Sequence, residues 1–149
     1  MNIVNLDAVR RAHRRVLAQT KTALAEAATD AGQFAVDYVH AHPTFTPRTG
    51  HLQDSTSWKT VRLSSGRVVR VENRAKYAAA IDRGAKPHVI EARRGKTLAF
   101  TKNGKLMFRR RVNHPGNKPT KFLYRATSAA GRILYQGMSN KMAKIAAKF

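Results

Sequence analysis

The chain contains no cysteine in its 149 residues. Disulfides and thiolate metal sites are thereby excluded. Carboxylates are scarce: 8 Asp and Glu stand against 29 Lys and Arg, a formal charge of +21. No apolar run is long enough to span a bilayer. No window reads as a signal peptide, because Asp7 and then Arg10, Arg11, Arg14 and Arg15 interrupt any apolar stretch near the start. The expectation is a soluble protein, made and used in a cytoplasm. The length predicts one domain with a modest core.

The shortage of acid is graded along the chain. Residues 1–50 carry a net charge of +2, residues 51–100 of +7 and residues 101–149 of +12. No Asp or Glu follows Glu91. The last third cannot neutralise itself with its own carboxylates. It calls for a polyanion, an acidic protein partner, or counterions.

What is present reads as α+β. Asn5 is placed to cap a long helix from about Leu6 to His40. Its apolar positions are Leu6, Val9, Val16, Leu17, Leu24, Ala27, Ala31, Phe34 and Tyr38, at helical spacing. A single helix of roughly 50 Å and two helices broken near Thr29 or Gly32 are both compatible with the sequence. His42-Pro43 ends the helical pattern. A loop with Pro47 and Gly50 follows, anchored by Phe45 and Leu52. Ser57–Leu63 and Val68–Glu72 alternate as a hairpin around Ser64-Ser65-Gly66, with Trp58, Thr60 and Arg62 on one face. A short alanine-rich helix, Arg74–Arg83, closes at Gly84, which suits a left-handed cap.

Three more strands are expected at His88–Ala92, Thr97–Thr101 and Leu106–Val112. Arg93-Arg94-Gly95-Lys96 and Lys102-Asn103-Gly104-Lys105 read as the turns between them, and Asn-Gly favours a tight hairpin. A last helix runs from about Thr120 to Lys148. Its stripe is Phe122, Leu123, Ala126, Ala130, Ile133, Leu134, Met138, Met142 and Ile145, and Gly131 and Gly137 weaken its middle. The architecture is a long N-terminal helix (residues 1–43), a mostly antiparallel sheet of about five strands with a short inserted helix (44–119), and a long C-terminal helix (120–149).

Candidate chemistry is thin. His40 and His42 lie beside Asp37, but a metal site needs further ligands in fixed geometry. His88 and His114 flank the basic strands and evoke the acid–base pair of a ribonuclease, yet as loop histidines without a paired carboxylate they argue against that chemistry. No nucleophile elbow or phosphate-binding glycine loop occurs, and the carboxylates are not clustered as a two-metal nuclease requires. Neither a catalytic residue nor a cofactor is expected.

Cation clusters have better physical support. Arg93, Arg94 and Lys96, then Arg109, Arg110 and Arg111, line one basic ribbon. Arg109 and Arg111 should point to one face and Arg110 to the other. Such a ribbon suits contact with phosphates without base reading. The plainer reading is a charged edge guarded against aggregation. Phe100 and Phe108 are expected to face the core rather than stack on bases.

The order of pieces resembles a known family. An alanine-rich first helix precedes Thr49-Gly50-x-Leu52-x-x-Ser55 and a strand pair. Tyr77-Ala78 and then Asp82-x-Gly84 follow. His114-Pro115-Gly116, Pro119, Phe122-Leu123 and Ala126 come last, before the final helix. Over about residues 20–135 this is similar to the neck proteins of tailed bacteriophages, the head–tail joining or tail-completion proteins. Asp82 stands where Glu is more usual, and Arg83 and Ala85 replace a commoner aromatic and Thr.

The resemblance implies a non-enzymatic virion protein forming a homo-oligomeric ring in the neck, assembled in the host bacterial cytoplasm. Its neighbours would be a portal-proximal connector or head-closure protein on one side and a tail terminator or tail tube protein on the other. Genomic double-stranded DNA would pass through the lumen, and no membrane is involved. On that expectation Arg93, Arg94, Lys96, Arg109, Arg110 and Arg111, with Arg10, Arg11, Arg14 and Arg15, face DNA or an acidic ring. Tyr77, Asp82, Gly84, His114, Pro115, Pro119, Phe122 and Leu123 serve as core or at subunit and ring interfaces. The competing expectation is a free basic protein that binds nucleic acid without sequence preference.

Overall fold

The computed structural model describes residues 5–64, 66–93 and 96–148. The chain is α+β. Its residues gather into two compact units: 1–75 with 122–149, and 76–121.

In the first unit, helix α1 runs unbroken over Leu6–Ala41, roughly 54 Å. Asn5 caps it: its Oδ1 accepts the N–H groups of Asp7 and Ala8, both at 3.1 Å. Thr29 and Gly32 do not break it. The missing side chain of Gly32 has a packing reason, because a Cβ there would collide with the Trp58 ring.

The buried face of α1 is made of small residues: Ala23, Ala27, Ala28, Ala31, Gly32 and Ala35, then Val39. Helix α4, Phe122–Ala146, meets it with Ala126, Ala129 and Ala130. Two alanine faces let the backbones approach toward the short end of the usual 8–10 Å range. Lys141 bonds Glu26 across this seam. The helix continues through both Gly131 and Gly137.

Two parts of the expected stripes are corrected. Leu6 is 60% exposed, and Val9 and Leu17 are also exposed. None of residues 5–22 is buried. Met142 is exposed near the end of α4.

The loop after α1 is ordered by its apolar anchors. Phe45 meets Phe122 edge-on at 5.3 Å between ring centroids. Gly50, at φ +75°, turns the chain into the single-turn helix α2, His51–Asp54, where Leu52 is buried. Strands β1, Thr56–Leu63, and β2, Gly66–Asn73, pair antiparallel from Thr56 opposite Asn73 to Leu63 opposite Gly66. Trp58, Thr60, Val69 and Val71 share one face in this register. Asn73 Nδ2 donates to Leu52 O and to Thr56 Oγ1, which ties the base of the hairpin to α2. Ser65, part of the expected turn, lies outside the described residues.

The second unit holds helix α3, Ala78–Arg83, and four short strands. Strand β3, His88–Glu91, pairs with β6, Arg111–His114. Strand β4, Leu98–Lys102, pairs with β5, Lys105–Arg109. Among the described residues the strands thus form three two-stranded antiparallel ladders, where one sheet of about five was expected. The expected strand Leu106–Val112 divides at Arg110, which raises the number from five to six. Asn103 and Gly104 have φ of +50° and +74° and link Lys102 to Lys105, as a type I′ turn requires.

Candidate functional site

The second unit owes its cation cluster to its register. Residues paired in β3–β6 sum to a different offset from those in β4–β5: β3 ends at Glu91 opposite Arg111, β4 begins at Leu98 opposite Arg109, and only Arg110 stands between the two on the other strand. The Ala92 N–H donates to Arg110 O at 2.8 Å and joins the two ladders there. The Lys96 N–H donates to Arg93 O at 3.3 Å, so the turn read from the sequence is present, but it links strands of two different ladders and not the arms of one hairpin.

This waist collects Arg93, Lys96, Arg109, Arg110 and Arg111, all exposed. Arg94 belongs to the same cluster in sequence but lies outside the described residues. Arg111 stands opposite Glu91, and its Nε lies 3.7 Å from that carboxylate. Arg109 Nη1 donates to the carbonyl of Phe108 at 2.9 Å, which folds its guanidinium back along the strand. The expected alternation of Arg109, Arg110 and Arg111 on one strand is interrupted, because Arg110 sits in the break between β5 and β6. An anion at the waist meets several cations and one carboxylate. That geometry favours phosphates or a cluster of Asp and Glu.

Arg10, Arg11, Arg14 and Arg15 belong to the other unit. They sit on the uncovered first half of α1, all exposed, with Arg10 3.7 Å from Asp7. Exposed pairs of this kind contribute little to stability. They leave a basic helix surface in place.

The residues expected at interfaces form a frame. Gly84 has φ +82° and ψ 165°, an extended mirror-image conformation and not the left-handed cap expected. Glycine is still required there, since a Cβ would meet Asn117 O at 2.8 Å and Pro119 at 3.0 Å. Ala85 and Asn117 exchange both backbone hydrogen bonds at 3.0 Å. Asn117 Nδ2 donates to Ala80 O at 2.9 Å. Thr120 donates to Ile81 O through its N–H and its hydroxyl, and the Lys121 N–H donates to Asp82 O at 3.0 Å.

The His114 ring lies tilted against that of His88, its partner across the ladder, with 5.0 Å between centroids. The His88 Nδ1–H donates to Lys86 O, and His114 Nδ1 accepts the Gly116 N–H. Both ring nitrogens that face the backbone are thus committed to structure. Tyr77 is partly exposed at the start of α3, Pro115 is exposed and Leu123 is half-buried. Phe122 is 2% exposed, so it is core of the first unit.

Sequence reasoning missed one feature. Phe108 does not face the core: it is 55% exposed, and Leu106 is 62% exposed. The register pairs Ala99 with Phe108 and Thr101 with Leu106, which puts four uncharged residues on one face of the β4–β5 ladder. The signal was available, because Asn103-Gly104 fixes that register once the turn type is known.

A second, largely apolar surface lies in the first unit. A groove of about 480 Å³ runs between α1, α4 and the β1–β2 hairpin, lined by Leu24, Ala28, Val69, Val71, Ala130 and Leu134 among others. Among the described residues no group of three or more His, Asp or Glu is arranged to hold a metal ion. No family model, curated protein or solved structure matches the chain.

Proposed function

We propose that the protein is a structural, non-enzymatic component of the neck of a tailed bacteriophage. In this reading it forms a homo-oligomeric ring that joins the DNA-filled head to the tail. A portal-proximal connector or head-closure protein lies on one side and a tail terminator or tail tube protein on the other.

One observation carries the reading. Gly84, His114, Gly116 and Pro119 of the resemblance are backbone-framing residues, and what they frame is a cation-lined ribbon. Gly50, Leu52 and Ser55 shape the base of the first hairpin. Gly84, His114, Gly116 and Pro119 close the foot of the ribbon. The ribbon itself has no carboxylate beyond Glu91. Repeated around a ring, its waist becomes a positive collar. Contacts to the phosphates of duplex DNA carry no sequence information and permit sliding. An acidic neighbouring ring would meet the same collar.

The test is deletion of the gene from a phage that encodes it, followed by electron microscopy of the lysate. Filled heads separated from tails are expected, and a ring of this protein in the neck of the intact particle. Joined, infectious particles made without the protein would overturn the reading.

A further inference from the structure

We propose that successive copies join head to tail, the uncharged face of the β4–β5 ladder of one copy seating in the apolar groove of the next. This deepens the ring reading and rests on it. The donor face consists of Ala99, Thr101, Leu106 and Phe108. It belongs to a two-stranded ladder, an element that is marginal without further cover. The receiving groove, at about 480 Å³, has ample room for the leucine and phenylalanine side chains.

Charge selects a second copy as the occupant. Two chains of +21 that meet through ordinary surface oppose like charges, which is costly. Of the eight carboxylates, Asp7, Glu26, Glu72 and Glu91 are already engaged by their own cations, which leaves at most four against 29 cations. The ladder face has no charged residue, and the groove lining has one, Arg67. These surfaces meet without that penalty. Nucleic acid finds no cationic donor on the ladder face. An acidic protein would be drawn to the waist instead. Because donor and receiver are different surfaces, the contact is heterologous and propagates until a ring closes.

The absence of native cysteine makes a direct test possible. The double variant Leu106→Cys/Leu134→Cys, treated with a short bismaleimide, is expected to give a ladder of covalent oligomers on a denaturing gel. Each single-cysteine variant should stop at dimer. Gly131 lines the groove, and a Cβ there meets nothing within 4 Å. Gly131→Leu in the double-cysteine background should therefore fill the groove without disturbing α4. It is expected to lower ladder yield at least tenfold with helicity and Tm preserved, and Phe108→Ser should do the same from the other side.

A link confined to single chains, products no larger than dimer, or a ladder indifferent to both blocking variants would overturn the proposal. If such a result accompanied wild-type rings visible by electron microscopy, this contact would be wrong and the ring reading would stand. Wild-type protein that is monomeric in solution and forms no ring in the particle would remove both.

Discussion

Glu72 shows how one side chain is tuned by a basic surface. Lys59 donates to it at 2.9 Å across the β1–β2 hairpin. That hydrogen bond, with the nearby charges of Lys59, Arg74 and Arg70, holds its carboxyl below the ordinary value of 4.5. A depressed carboxylate adds stability that is fully present above the unfolded-state value and is lost as pH falls through the folded one. In the window just below pH 4.5 the unfolded chain binds more protons, so stability rises with pH. Glu72→Gln should flatten the slope of Tm against pH in that window and leave the slope above pH 6 unchanged. Equal acid-side slopes in the two proteins would show that the carboxylate is not held by its neighbours. Gly32 makes a complementary point at the same scale: a residue that weakens a helix in isolation is kept because an indole ring occupies the space of its side chain.

At the scale of elements, α1 divides into a packed half and a bare half. Replacing the cap by Asn5→Ala should cost about 1 kcal/mol locally. Amides of the first two turns should then exchange roughly fivefold faster, while global Tm stays unchanged, since none of residues 5–22 is buried. A fall in Tm of several degrees would mean that these turns support the core. Much at this scale was legible in the sequence. Apolar spacing and Asn5 marked α1, Asn103-Gly104 marked a tight hairpin, and Phe45 and Leu52 marked the anchors of the loop. What was hidden depends on pairing at long separation. Nothing local shows that β3 joins β6 and not β4. Phe108 is a different case: its register was readable from Asn103-Gly104, but whether a half-apolar strand is covered depends on what packs over it. The basic cluster was visible as composition, whereas its convergence at a waist was not.

For the whole molecule, the charge gradient makes salt the informative variable. Each phosphate neutralised on duplex DNA contributes about −0.9 to the slope of log K against log salt. Replacing Arg109, Arg110 and Arg111 together by Gln should reduce the magnitude of that slope by up to about 3, roughly one for each cation. Binding titrations of a non-specific duplex at several salt concentrations read this directly. An unchanged slope would mean that the waist meets something other than phosphate and would favour an acidic protein ring. Tight binding by the isolated monomer at physiological salt would favour a free nucleic-acid-binding protein over a neck component, because a collar needs its neighbours to concentrate charge.

The paired hydrogen bonds between Ala85 and Asn117 also bear on how the chain can vary. They bring the two ends of residues 86–116 to within a strand's width of each other. The basic ribbon is thus a cassette clipped together at its foot. It can be lengthened, shortened or swapped for a tight turn while α3 and the segment leading into α4 keep their own connections.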